Sequence, residues 1–354
     1  MTLDAQVAIV GGGPIGLACA LFAAEAGLDT VVVEPRDAPI EKACGEGLMP
    51  GAWRLVSELG VDPPGADIAG VAYVQGAARA EHRFAEGKGR GVARTALHEA
   101  IARRAAARGI RVIAGRADTL AQHSNHVTIS GPSLEPLDAG YVIGADGLHS
   151  RVRELAGLTG RPQRASARRF GLRRHYAIAP WSDLIEVHWT RHAELYVTPL
   201  GPRLIGVALL GRRGTDLASA LADDPELAAL LRTDAGGHSR AQLGQVRGAG
   251  PLLQRTRSRT AGRVLLVGDA SGYVDALTGE GLRVGIAQAK AAVAAAAAGD
   301  PGRYEREWVS ITRDFRVITG ALVGAARSPV RRAIVPAAVR LPALYGGIVE
   351  RLSR

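Results

Sequence analysis

Cysteine, lysine and aromatic residues are all scarce in this chain of 354 residues, and each scarcity removes a class of function. The two cysteines, Cys19 and Cys44, are too few for a disulfide framework, and their spacing fits no zinc pattern. No metal site is therefore expected, and a reducing cytoplasm is the expected compartment. Aromatic side chains make up 4% of the sequence, and no run of basic residues is interleaved with them. That argues against a platform for stacking nucleic-acid bases, so no nucleic-acid partner is expected despite a net charge of +10. Lysine occurs only at Lys42, Lys88 and Lys290, so the positive charge rests almost wholly on arginine. A basic leader is missing too. The apolar stretch from Val7 to Val33 has Asp4 ahead of it and is broken by Gly11, Gly12, Gly13 and Pro14. It suits a buried strand–turn–helix–strand unit better than a signal peptide or a membrane span.

What is present is the composition of a folded protein, 47% apolar and 22% charged, long enough for one large domain or two. Apolar runs predict strands over Gln6–Val10, Thr30–Val33, Arg111–Ala114, Tyr141–Gly144 and Arg263–Val267. Helices are predicted over Ile15–Ala26, Ala52–Leu59, Arg94–Arg108, Thr215–Leu231 and from the glycines near 280 to Ala298. Short alternating runs at Val71–Gln75 and Glu81–Ala85 read as a hairpin, and the segment from Arg168 to Leu210 reads as an antiparallel sheet. The last fifty residues are helical in pattern, with Pro329, Pro336 and Pro342 as breaks.

Chemistry enters with "VAIVGGGPIGLACALFAAEAGLDTVVVE". Gly11, Gly13 and Gly16 hold the three glycine positions of a dinucleotide fingerprint between a predicted strand and helix. The helix N-terminus offers free N–H groups to phosphates. Glu34 ends the second strand, where a carboxylate accepts hydrogen bonds from a ribose diol and disfavours a 2′-phosphate, leaving FAD or NAD. Two further strand-end acids follow, Asp146-Gly147 in "VIGADGLHSRVRELAG" and Gly268-Asp269 in "RVLLVGDASGYVDALTGEGLRVGIAQA". Either acid alone is as consistent with a helix cap as with a flavin contact.

Together these motifs resemble the FAD-dependent superfamily of single-component aromatic hydroxylases and geranylgeranyl reductases, over roughly Val7 to Ala298. The resemblance implies FAD as cofactor, with Glu34 on the adenosine ribose, Arg94 and Leu97 flanking the cofactor, Asp146-Gly147 near FAD and the incoming nicotinamide, and Asp269 on the ribityl chain. Pro14, Ile15, Pro35, Arg36, Cys44, Gly45, Ala117, Gly279, Gly281 and Leu282 complete the expected cofactor contacts. The resemblance also implies NADH or NADPH as an external reductant without a Rossmann domain of its own, and no second glycine fingerprint is present. The expected fold is α/β, a Rossmann-type FAD-binding domain with an inserted antiparallel β-sheet substrate domain and C-terminal helices. Residues 1–70, 91–165 and 258–300 are assigned to the first, 71–90 and 166–257 to the second, and 301–354 to the helical region.

The reaction is less sharply written. "GDASGYVDALTGEGL" and "KACGEGLMPG" are closer to the reductases, whereas the reductases' aromatic motif survives only as "ELYVTPLG". The leading expectation is an NAD(P)H-dependent monooxygenase that uses O₂ on a small apolar aromatic, polyketide or isoprenoid molecule. A reductase of C=C bonds is the alternative, and a flavin-binding sensor without turnover the third. Cys44 and Glu46 are the catalytic candidates. Cys44 is read as a small buried residue ahead of a redox thiol, and Glu46 as either a proton donor or a surface acid. Tyr176, His188, Trp189, Tyr196 and Pro199 are the substrate candidates, with Glu186 and His188 on one strand face and Val187 and Trp189 on the other. The arginine-rich tail is read either as a peripheral membrane contact or as a solvated helical cap.

Overall fold

The computed structural model describes residues 3–161, 168–232 and 238–354, so the expected domain boundary at 165/166 lies outside the described residues. Strand Ala5–Val10 sits at the centre of the first sheet, pairing in parallel with Thr30–Glu34 on one side and Leu134–Gly144 on the other. Arg111–Ala114 and Val264–Leu266 extend the parallel set, and Thr260–Ala261 adds an antiparallel edge. The central strands are apolar on both faces because helices cover one face and a second apolar cluster covers the other.

Helix Pro14–Glu25 is buried nearly all round and is crossed by Gly281–Ala297 and Arg94–Ala107. Small side chains permit that closeness: a Cβ on Gly285 would lie 2.6 Å from Ile15 Cδ1.

A second, seven-stranded sheet runs in the order Gln242–Ala249, Arg169–Tyr176, Leu204–Arg212, Glu194–Gly201, Leu184–Trp189, Gly70–Gln75 and Ala78–Arg83. All neighbours are antiparallel except Leu184–Trp189 with Gly70–Gln75. One face packs on the C-terminal helices and the other carries the short helices between residues 217 and 230.

Four expectations are corrected. The strand expected at Tyr141–Gly144 is Leu134–Gly144, and its first half pairs with a hairpin of Val127–Gly131 and Thr119–Gln122 whose polar composition hid it. Strand Gln242–Ala249 was not expected, since its mostly exposed side chains carry no alternation of burial. The single helix expected over Thr215–Leu231 is two, Leu217–Ala222 and Pro225–Leu230, each capped by an aspartate, Asp216 and Asp224. Pro225 cannot continue a helix but is well suited to start one. Finally, Pro329 and Pro342 do begin new segments, but Pro336 lies within the first turn of Ile334–Arg340, where its missing N–H costs nothing.

A buried ion network joins these parts. Glu194, fully buried, accepts from Arg169 Nη2 at 2.5 Å and from Arg331 Nη1, and Arg169 Nε stands 3.0 Å from Asp275 Oδ2. Burial outweighs the Arg169 charge at Asp275 and pushes its carboxyl up to about 6.

Candidate active site

The glycine turn divides its labour. Gly11 has φ +110°, and a Cβ there would lie 2.6 Å from Ala145 O, so it makes the tight turn. Gly16 sits against the Gly11 carbonyl and lets the helix approach the sheet. Gly13 alone is open: the nearest atom to a Cβ there is Arg94 Nη2, 3.9 Å away. Exposed helix-end N–H groups with a guanidinium beside them are a donor set for a pyrophosphate.

Glu34 Oε2 accepts the Gly12 N–H at 2.7 Å, and Oε1 accepts Arg36 N–H at 3.0 Å and Arg36 Nε at 2.7 Å. Burial alone would raise this carboxyl, but the hydrogen bonds from Arg36 and Gly12 outweigh it and hold it below the ordinary range. His98, which the sequence did not single out, has Nε2 2.9 Å from Gly12 O and Nδ1 3.4 Å from Ile40 N. Burial lowers its pKa, and the neutral ring satisfies both contacts, donating from Nε2 and accepting at Nδ1.

Asp146 caps a helix with one oxygen and leaves the other without a partner among the described residues. Its Oδ2 accepts the N–H groups of Arg151 at 2.7 Å and Val152 at 3.0 Å, capping the helix Arg151–Leu155. Its Oδ1 is buried with no hydrogen-bond partner among the described residues, beside a groove lined by Gly13, Arg36, Arg94 and Gly147. That groove shares Gly13, Lys42, Arg94 and Gly147 with a second chamber, so the two form one continuous cleft. Farther along it stand Gly268, Asp269, Gly279, Gly281 and Leu282, with Asp269 Oδ2 on Lys42 Nζ at 2.7 Å. An orphaned acceptor, an open glycine and paired cations along an elongated cleft fit a dinucleotide. Pro14, Ile15, Cys44 and Gly45 line the chamber, whereas Pro35 is exposed beyond the groove. Leu97 and Ala117 are buried in the clusters flanking the first sheet and reach neither cavity.

Beyond the cleft the chamber is apolar, walled by Val71, Tyr73, Ile185, Val187, Tyr196 and Leu210 of the second sheet. Of the five substrate candidates only Tyr196 lines it, and its hydroxyl donates to Leu277 O at 2.9 Å. The other four are corrected by strand geometry. Tyr176 is buried on the opposite face. His188 points that way too, with Nδ1 2.7 Å from Asp224 Oδ2. Trp189 stands one layer back, its ring 5.4 Å from that of Tyr73. Pro199 lies between Thr198 and Leu200 on the strand, its carbonyl against Gly91. Val187 and Ile185, not His188, face the chamber.

Cys44 is half-buried and lines the chamber, not the fully buried filler expected, and its Sγ accepts the Glu46 N–H at 3.4 Å. Glu46 is no surface acid: it is buried, with the left-handed φ of +61° rare outside glycine. Its Oε2 lies 2.7 Å from His175 Nε2, and its Oε1 accepts the Arg94 N–H at 2.8 Å. His175, 129 residues away in sequence, was not expected here.

The sequence profile described as FAD binding domain matches residues 4–299. Dialkyldecalin synthase of Streptomyces rugosporus is 29% identical over 80% of this chain, which spans only 63% of that protein. Menaquinone reductase of Mycobacterium tuberculosis H37Rv is 28% identical over 81% of this chain and 75% of its own length. Among solved structures, p-nitrophenol 4-monooxygenase of Pseudomonas putida superposes with a TM-score of 0.79 at 19% identity, covering 99% of both chains, a likeness of fold. The chain therefore belongs to the FAD binding domain family, and FAD is the dinucleotide its cleft accommodates.

Proposed function

We propose that this protein is a FAD-dependent oxidoreductase that reduces a C=C bond in an elongated, isoprenoid-like molecule. The observation that carries the reading is the distribution of polarity in the chamber. Its far walls are largely aliphatic, with Tyr73 and Tyr196 among them, and Cys44 and Glu46 stand together in the loop beside Lys42 and Arg94 at the cofactor end.

Reduction of a C=C bond adds a hydride equivalent and a proton. FAD, when bound and reduced, supplies the first. The second falls to this chain, and Cys44 Sγ, open to the chamber, is the donor we assign. Glu46 fixes the loop that presents it, through Arg94 N–H and His175. The apolar wall orients the molecule and excludes water. Within this reading the external reductant is NADH or NADPH, Glu34, Asp146 and Asp269 contact FAD, and the compartment is the reducing cytoplasm. The alignment with a menaquinone reductase across most of the chain supports reduction.

Insertion of one atom of O₂ into the same kind of molecule is the second reading, favoured by the fold shared with a 4-monooxygenase. Anaerobic turnover separates them. Reduced enzyme mixed with a polyprenyl alcohol without O₂ is expected to give a product richer by two hydrogens. Product formed only in air, carrying label from ¹⁸O₂, overturns the reductase reading. A flavin reduced by neither NADH nor NADPH points to the sensor.

A further inference from the structure

Between Asp314 and Glu350 the chain carries five arginines and no acidic residue over 35 positions. Most of that stretch folds as Pro301–Ala326, a 3₁₀ turn, and the helices Ile334–Arg340 and Pro342–Ser353. The last two segments meet at a bend of 101°. At the bend, every residue from Val339 to Leu344 is exposed, and five of those six are apolar. Val339, Leu341 and Leu344 expose 45%, 53% and 60% of their surface, far from the ordinary placement of large aliphatic side chains. Arg327, Arg332 and Arg340 of the same stretch are exposed too.

We propose that this bend is a foot that docks on an anionic lipid bilayer. Val339, Leu341 and Leu344 enter the acyl boundary, and those arginines pair with lipid phosphates. The alternative geometry, a membrane span, does not suit these helices. Each arm is about 18 Å long, against a hydrocarbon core of about 30 Å. Moreover, Val335, Ala338, Tyr345 and Val349 are already buried against the second sheet, and Arg331 is tied to Glu194. Charge selects the occupant: a segment with exposed cations and no acid of its own favours phosphates over a second copy bearing the same charge.

The same helix also closes the chamber. Val349 and Leu352 on its inner side line the cavity, so its outer end stands at the bilayer while its inner side touches the reaction space. An apolar lipid-like molecule then reaches the chamber without crossing water. The docking itself is independent of which reaction the flavin performs.

The test uses FAD-loaded enzyme and binding alone. Sedimentation with vesicles of phosphatidylcholine, or of an equimolar mixture with phosphatidylglycerol, is compared for wild type, Leu341→Asp with Leu344→Asp, and Arg332→Gln with Arg340→Gln. All four positions are exposed, and an unchanged flavin spectrum checks the fold of each variant. Wild type is expected to bind the anionic vesicles preferentially, and less at high salt. The leucine variant is expected to lose about tenfold or more in affinity, and the arginine variant to lose the preference for phosphatidylglycerol. Equal binding by all three proteins, or no binding of wild type to anionic vesicles, overturns the proposal. So does a wild-type dimer in lipid-free solution that the leucine variant abolishes, which would give the face to a second copy.

Discussion

Lys42 and Asp269, 227 residues apart in the chain, meet with Nζ 2.7 Å from Oδ2 across the cleft assigned to the cofactor. The pair is partly open to solvent, with side-chain exposures of 33% and 22%, so its own contribution to stability is about 0–1 kcal/mol. Its meaning is positional: the carboxylate assigned to the ribityl chain is already held in place by a cation from the opposite lip. Asp269→Ala is expected to weaken FAD by about tenfold or more, as loss of a charged hydrogen bond of about 1.5–3 kcal/mol would. Lys42→Ala is expected to cost much less. Titration of apoprotein by flavin fluorescence measures both, and equal affinities for Asp269→Ala and wild type would remove Asp269 from the cofactor site.

Glu34 has its carboxyl held low by Arg36 and Gly12 against the opposing effect of burial. A folded-state pKa below the unfolded value means stability present above the ordinary carboxylate pKa and lost as pH falls through the folded one. Glu34→Gln should therefore melt below wild type at neutral pH, with the gap closing in acid. Melting curves across the acid range read this directly, and a pH-independent gap contradicts it.

Glu280 behaves in the opposite sense. It is buried, its Oε1 has no hydrogen-bond partner among the described residues, and burial outweighs the nearby Arg283 to push its carboxyl up to about 7. Because the unfolded value is lower, 4.5, stability falls as pH rises from there to about 7, by an amount on the order of 2–3 kcal/mol. Glu280→Gln should flatten that decline and leave the most acidic points unchanged. Denaturant midpoints at several pH values test it, and a decline as steep as that of wild type would assign the loss to another group.

His188 and Ala208 make a matched pair for the substrate chamber. His188 lies behind the wall between Asp224 and Glu186, whereas Ala208 lines the cavity. His188→Gln is expected to lower the melting temperature with substrate handling unchanged. Ala208→Phe should leave the flavin spectrum alone and raise KM most for the longest substrates. Steady-state kinetics over a series of chain lengths decides, and a length-independent effect would move the substrate elsewhere.

Local order explains what was legible in the sequence. Gly11, Gly13 and Gly16, like Asp146 and Asp269, lie at strand–turn–helix junctions, and a junction is written in consecutive residues. The second sheet was visible in its apolar, buried strands, Leu184–Trp189, Glu194–Gly201 and Leu204–Arg212. Strand Gln242–Ala249, exposed along most of its length, had no such signature. His98 and His175 were invisible for another reason: each matters through a partner 86 or 129 residues away, and no period in the chain marks such a meeting. Among the substrate candidates, the division of Val187 from His188 was readable, but which face looked inward depended on the first sheet and the tail packing against it.

Glu194 is shared by two arginines, Arg169 from the sheet and Arg331 from the tail, and Arg169 passes the contact on to Asp275 in the loop beside the cleft. Removing Arg331 would strip one cation from a dry cluster and leave an uncompensated negative charge where nothing can solvate it. Prying the tail outward therefore meets an electrostatic latch. Tail, sheet and cleft-side loop are thereby clamped together at a single charged point.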